Sequence, residues 1–161
     1  MDYSLYFNHS NYFNTNINCL TSKKNSQHTR EYFCSKIGYE LDMMAVPVQT
    51  HSNNVLFIDK PGKYENCDGL VTNNPEILLS LQTADCIPIF IYDTELELFG
   101  IIHAGWRGLT GGIVINTLDL ISDYKVDCRN LKVLLGPSIC GNCFEVGIDV
   151  ANKFDERCIK I

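Results

Sequence analysis

The chain is short of positive charge. Its 13 Lys and Arg stand against 19 Asp and Glu in 161 residues, a net charge of −6 at pH 7. A field of that sign repels phosphate backbones, so nucleic acid is not expected as a partner. Long apolar runs are also missing. No stretch approaches the ~20 apolar residues of a membrane-crossing helix, and no membrane association is expected. The opening residues, Met1-Asp2-Tyr3-Ser4-Leu5-Tyr6, lack the basic and apolar regions of a secretory signal. The expectation is therefore a cytoplasmic protein with reduced thiols. No repeat, low-complexity tract or linker composition interrupts the chain. Residues 1–161 read as a single domain, long enough to bury roughly 70% of its unfolded surface.

Cysteine, by contrast, is abundant, with eight residues. In a secreted protein this would suggest a disulfide framework; without an export signal, free thiols are the better reading. Cys140-Gly-Asn-Cys143 has the spacing of a redox pair, but it follows Gly136-Pro137 rather than opening a thioredoxin-like unit. Cys19, Cys34, Cys67, Cys128 and Cys158 read as small buried or surface residues.

Periodicity gives a coarse architecture. The first 25 residues suggest a short strand or two with irregular connections. A helix is predicted over Ser26–Ile37, stopped by Gly38. Arg30 shares its inward face with Phe33, Cys34 and Ile37. A buried arginine is usually paired, here with either a carboxylate or a ligand anion. Strands are predicted at Ala45–Gln49, Val55–Ile58, Ile77–Leu81, Ile87–Tyr92, Leu98–His103 and Leu131–Leu135. Several are almost continuously apolar, the pattern of strands covered on both faces. A helix over about 112–122 carries Ile113, Val114, Leu118 and Ile121 on one side, and a last helix over 144–154 aligns Val146, Val150 and Phe154. Strands outnumber helices and alternate with them only in part, which indicates an α+β (mixed α/β) fold on mixed sheets flanked by helices.

Three residues stand inside distinctive local motifs: His51 in Gln49-Thr50-His51-Ser52, Cys86 in Thr83-Ala84-Asp85-Cys86, and His103 in His103-Ala104-Gly105-Trp106-Arg107-Gly108. Two imidazoles and a thiolate suit zinc or copper, and three protein ligands leave a fourth position open for catalysis. Two of them also have a plainer reading. Cys86 precedes an apolar run and by composition alone reads as a buried structural cysteine; His51, in a polar turn, also suits a surface residue. Ala104-Gly105 lets the backbone approach a ligand closely. Trp106 suits either the core or a flat substrate, and Arg107 suits an anion. Gly108, Gly111 and Gly112 match no P-loop or dinucleotide fingerprint.

Taken in order, the three motifs above, together with Asp68-Gly69-Leu70-Val71-Thr72, Gly136-Pro137-Ser138-Ile139 and Phe144-Glu145-Val146-Gly147, resemble one family. It is the purine nucleoside phosphorylases of the multicopper polyphenol oxidase (laccase) type, also called the YfiH or laccase-domain family. The resemblance covers roughly Arg30 to Phe154. It implies that His51, Cys86 and His103 bind a zinc ion, and that Arg30 is a site residue. It also implies phosphorolysis of adenosine, inosine and methylthioadenosine to the base and a ribose 1-phosphate, and deamination of adenosine. Older descriptions of members as polyphenol oxidases make copper the alternative metal. The implied fold has mixed sheets flanked by helices, with a distant likeness to toxins that use a Cys–His pair.

Within that frame Arg30 and Arg107 suit the phosphate, while Asp85 and Asp68 are candidates for proton transfer or for orienting a ligand. Typical members continue through further strands beyond the position of Ile161. An uncovered sheet edge, and with it self-association, is expected here. Competing readings are a copper oxidase, a metal-free cysteine hydrolase using Cys86 with His103 or His51, and a non-catalytic binding protein. The first is disfavoured by the four histidines, two of which, His9 and His28, lie outside the motifs.

Overall fold

The computed structural model describes residues 6–13, 17–23 and 29–159. Along the chain the strands are β1 (Tyr6–Asn8), β2 (Leu20–Ser22), β3 (Met44–Pro47), β4 (Val55–Phe57), β5 (Gly62–Tyr64), β6 (Gly69–Thr72), β7 (Leu78–Leu79), β8 (Ile87–Asp93), β9 (Phe99–Ala104) and β10 (Leu131–Leu135). The helices are α1 (Ser10–Phe13), α2 (Arg30–Ile37), α3 (Trp106–Thr110), α4 (Ile113–Ser122) and α5 (Ile148–Ala151). The fold is mixed α/β, as the sequence indicates. No helix among the described residues is long and apolar enough to cross a membrane.

A five-stranded sheet in the order β10-β8-β9-β6-β4 forms the centre. Its pairs are antiparallel except β4 and β6, which run parallel. A second, three-stranded parallel sheet has the order β5-β3-β7, and β1 and β2 form a separate hairpin. The strand period of two explains why the central runs are apolar throughout. Val71, Ile89, Ile91 and Ile102 share one cluster with Ile113 and Ile121 of α4, whereas Leu70 joins Ala45, Ile58, Cys67 and Ile77 in another. Phe90 and Tyr92, alternating with Ile89 and Ile91, meet Phe13 and Cys19 of the N-terminal segment. Leu70, Val71, Ile102, Ile113 and Ile121 are at most 1% exposed, so burial of each contributes about 1.5–3 kcal/mol.

Helix α2 starts where capping chemistry puts it. The Thr29 hydroxyl accepts from the Tyr32 N–H at 3.2 Å, and the helix ends at Gly38 with φ 79°, whose N–H and that of Tyr39 both reach the Cys34 carbonyl. Residues 26–28 of the predicted helix lie outside the described residues. Cys34 and Ile37 are buried and Arg30 and Phe33 half-buried, which matches the predicted inward face.

Other elements differ from expectation. The strand predicted over Ile77–Leu81 is only Leu78–Leu79, and the one over Ala45–Gln49 is Met44–Pro47. Just beyond these strands, the Ser80 hydroxyl bonds Arg30 and the Gln49 side chain bonds the Gln82 backbone. Strands β5 and β6 carry no period-two signal of their own; β6 is buried at every position. On α4 the buried face is Ile113, Thr117 and Ile121, while Val114 is 40% exposed. The helix predicted over 144–154 shrinks to Ile148–Ala151, because its apolar stripe finds little to pack on: Val146 is exposed, Val150 and Phe154 are only half-buried, and Ala151 alone is buried within the helix. A helix that short, without a buried face, is not self-supporting. Strand β10 forms where expected but is not covered on both faces, since Val133 and Leu135 are 44% and 61% exposed.

Candidate metal site

Four motif segments converge because of strand direction. Asp68 immediately precedes β6 and Cys86 immediately precedes β8, whereas His103 lies near the end of β9, which runs antiparallel to both. All three therefore reach the same end of the central sheet. The β8–β9 register sets Ile87 across from Ala104 and Pro88 across from His103, and the His103 N–H donates to the Asp68 carbonyl at 2.7 Å. His51 arrives from the loop that leads into β4, the strand parallel to β6.

The outcome is one cluster. The ligand atoms of His51, Cys86 and His103 lie within 4.8 Å of one another, and the two imidazoles meet edge to face at 4.8 Å between centroids. His103 is buried, Cys86 half-buried and His51 exposed, so the group opens to solvent on the His51 side. A tetrahedral zinc ion with bonds of about 2.0–2.3 Å spaces its ligand atoms roughly 3.3–3.8 Å apart. The three need close by no more than about 1.5 Å to fit. Gly105 is part of the fit: a Cβ there would stand 3.0 Å from His51 Cδ2 and 3.1 Å from Cys86 Sγ.

Asp68 holds this arrangement together. Its fully buried carboxylate accepts from His103 Nδ1 at 2.8 Å, from the backbone N–H groups of Thr50, His51 and Ser52 at 2.7–3.2 Å, and from the Ser52 hydroxyl at 2.7 Å. The loop wraps round the carboxylate, and this holds His51 in the left-handed region at φ 58°, a conformation a non-glycine residue seldom adopts unaided. Burial alone would push the Asp68 carboxyl up, but the bonds from His103, Ser52 and Thr50 outweigh it and bring it below the ordinary value. Donation from Nδ1 to a carboxylate fixes the His103 tautomer and leaves Nε2 to a metal, the usual way a ligating histidine is oriented. Asp68 is thus a positioning residue.

Gln49 performs a task its motif did not disclose. Its side-chain amide donates to the Gln82 carbonyl at 2.8 Å and accepts from the Gln82 N–H at 3.1 Å, clipping the loop with His51 to the segment leading to Cys86. Burial, then the charges of Asp85 and Asp68, raise the Cys86 thiol above its ordinary value. Asp85 itself is exposed. Arg107, also exposed, lies over the Trp106 ring at 4.2 Å from its centroid, on α3 directly after Gly105.

Arg30 is not among the clustered ligands. It lines a cleft of 740 Å³ whose wall includes Ser80, Gln82, Thr83 and Ala84, the stretch running up to Cys86. Its Nε donates to Ser80 Oγ at 3.3 Å, and it has no carboxylate partner among the described residues. His9 sits in the N-terminal hairpin, bonded to Thr21, and His28 lies outside the described residues. All eight cysteines are free.

Comparison with known proteins gives the family. The chain is 32% identical to a purine nucleoside phosphorylase of Staphylococcus epidermidis over 97% of its own length and 61% of that protein's. It is 36% identical to a purine nucleoside phosphorylase of Deinococcus radiodurans, covering 78% of this chain and 49% of that one. An adenosine deaminase from an unknown prokaryotic organism is 34% identical over 74% of this chain and 49% of its own. Among solved structures, YlmD from Geobacillus stearothermophilus superposes with a TM-score of 0.74 at 27% identity, over 77% of this chain and 50% of that one. The chain thus spans between 49% and 61% of the length of these relatives. The family model described as multi-copper polyphenol oxidoreductase laccase matches residues 6–161. With that match running through every motif segment at the sheet end, the chain belongs to the multi-copper polyphenol oxidoreductase laccase family.

Proposed function

We propose that this chain is a purine nucleoside enzyme built on a zinc ion held by His51, Cys86 and His103. The observation that carries the reading is the cluster itself, two imidazoles and a thiol within 4.8 Å with Asp68 behind His103, in a chain whose relatives are named purine nucleoside phosphorylase and adenosine deaminase. A metal ion bound there supplies a Lewis acid with one position open to solvent or substrate.

The reactions are phosphorolysis of adenosine, inosine or methylthioadenosine to the base and (methylthio)ribose 1-phosphate, and hydrolytic deamination of adenosine. The protein's own groups divide the work. Asp68 keeps His103 in one tautomer and His51 in its turn, so neither ligand must reorganise during the reaction. Asp85, the exposed neighbour of Cys86 in the sequence, takes and returns a proton during deamination. Arg30 and Arg107 bind the phosphate, Arg30 from the cleft wall and Arg107 from α3, each with a guanidinium fork suited to two oxygens. Trp106 offers a flat apolar face to a purine.

Two readings carry less support. Copper oxidase chemistry needs more imidazoles than the two in the cluster. A metal-free cysteine hydrolase needs a thiolate, and the surroundings of Cys86 favour the thiol.

The test is direct. Purified protein is incubated with adenosine, with and without inorganic phosphate, and adenine, inosine and hypoxanthine are followed. Adenine that forms only with phosphate, together with inosine formed without it, supports the reading. A stoichiometrically zinc-loaded protein that forms no product from any of the three nucleosides overturns it.

A further inference from the structure

The Cys140–Cys143 pair takes no part in the site above, yet its geometry is that of reactive thiols. Residues 140–144 form one tight turn, in which the Cys140 carbonyl accepts from the N–H groups of Cys143 at 2.9 Å and Phe144 at 3.1 Å. Positions three apart on such a turn stand side by side. Their sulfurs are 3.0 Å apart, within hydrogen-bond distance of each other, and both are exposed. The turn stands clear of the body, with nothing within 4 Å of where a Gly141 side chain would begin. A disulfide needs the sulfurs to approach by only about another 1 Å, to the usual length of about 2.05 Å.

We propose that Cys140 and Cys143 form a redox-active dithiol that exchanges with low-molecular-weight disulfides of the glutathione class. The bond from Cys143, followed by backbone donors of the same turn, lowers the Cys140 thiol below its ordinary value, while Cys143 is raised. This assigns the roles: Cys140 is the attacking sulfur and Cys143 the resolving one. The Cys140 thiolate attacks one sulfur of RS–SR, forming a mixed disulfide and expelling RS⁻, which takes a proton from solvent. Cys143 then loses its proton, attacks Cys140 Sγ and expels the second RS⁻. The two cysteines lose two electrons and two protons, and the reagent gains both as two RSH.

Its placement links this pair to the rest of the fold. The Ile139 N–H, one residue before Cys140, donates to the Asp85 carbonyl at 3.0 Å, beside Cys86. The dithiol therefore stands at the end of a backbone pairing that starts next to the metal cluster. Exchange at Cys140 does not depend on any nucleoside activity, so the two proposals fail separately.

The reduced native chain is exposed to mixtures of reduced and oxidised glutathione, quenched with an alkylating reagent and mapped by peptide mass. The expected product is a peptide bearing a Cys140–Cys143 bond, two hydrogens lighter, while Cys19, Cys34 and Cys67 stay reduced. Cys128 and Cys158, the other exposed cysteines, are the internal controls. In Cys143→Ser, a glutathione adduct should accumulate at Cys140, several-fold faster than at either control. Adducts spread evenly over the exposed cysteines, with no Cys140–Cys143 bond in the native chain, overturn the proposal. So does a Cys140 that stays reduced across the series.

Discussion

At the scale of single residues, the proposed site depends on a carboxylate that stands behind one of its candidate ligands. Asp68→Asn keeps the shape of the side chain but removes the charge and turns one acceptor into a donor facing the Thr50–Ser52 amides. The expected result is a 10- to 100-fold loss of zinc affinity, roughly what second-layer partners contribute, with a stability loss of about 1–3 kcal/mol from unsatisfied buried donors. A competitive chelator titration and a thermal melt measure the two separately. Unchanged zinc affinity would remove Asp68 from the site. Cys86→Ala should abolish stoichiometric zinc while the domain stays folded, because a three-ligand catalytic site is not a structural staple; full zinc retention in that variant sinks the ligand assignment. Arg30 calls for a kinetic readout instead. If it binds phosphate from the cleft wall, Arg30→Ala raises the KM for phosphate far more than the KM for adenosine, with little change in melting temperature. A variant that alters both KM values equally contradicts that role.

At the scale of elements, the N-terminal hairpin shows how a peripheral piece is fastened. Phe13 packs edge to face on Tyr92 at 6.0 Å, and the His9 ring lies 6.1 Å from Phe90 while bonding Thr21. Burial holds His9 below its ordinary value of 6.5, so the folded state favours the neutral ring. Well above pH 6.5 both folded and unfolded His9 are neutral, and the group has no effect on stability. As pH falls below 6.5 the unfolded chain takes up the proton first, and stability declines until the folded ring also titrates. Denaturant melts across that range should therefore show a shallower loss in His9→Gln than in the parent. Equal slopes would mean that His9 titrates alike in both states. The hairpin covers the same face of β8 that lies opposite α4, which is why an apolar run such as Ile87–Tyr92 shows no alternation.

At the scale of the whole molecule, one region of the sheet is left open. Val133 and Leu135 on the edge strand, with Val114 on α4, line one apolar hollow and are 40–61% exposed. Unpaired strand edges with apolar side chains favour pairing with another copy. Sedimentation at micromolar concentration should show dimers or larger species, and Leu135→Lys should shift the distribution toward monomer. A monodisperse monomer of the parent protein at that concentration would refute the expectation.

The sequence by itself determined the mixed α/β class, the positions of most strands, the limits of α2 at Gly38 and of α4 near Gly112, and the three motif residues that were candidates for a site. These are local properties: turn and cap chemistry, apolar period and motif composition act over a few residues. What the sequence left open was decided by tertiary contact. Whether Cys86 and His51 would stand beside His103 depended on strand direction, because antiparallel β9 brings His103 to the end where β6 and β8 begin. The buried face of α4 turned on which side met Val71 and Ile102 rather than on its strongest apolar stripe. The apolar stripe over 144–154 gave only a single turn of helix, since a stripe of that kind becomes a helix only when a surface is there to receive it.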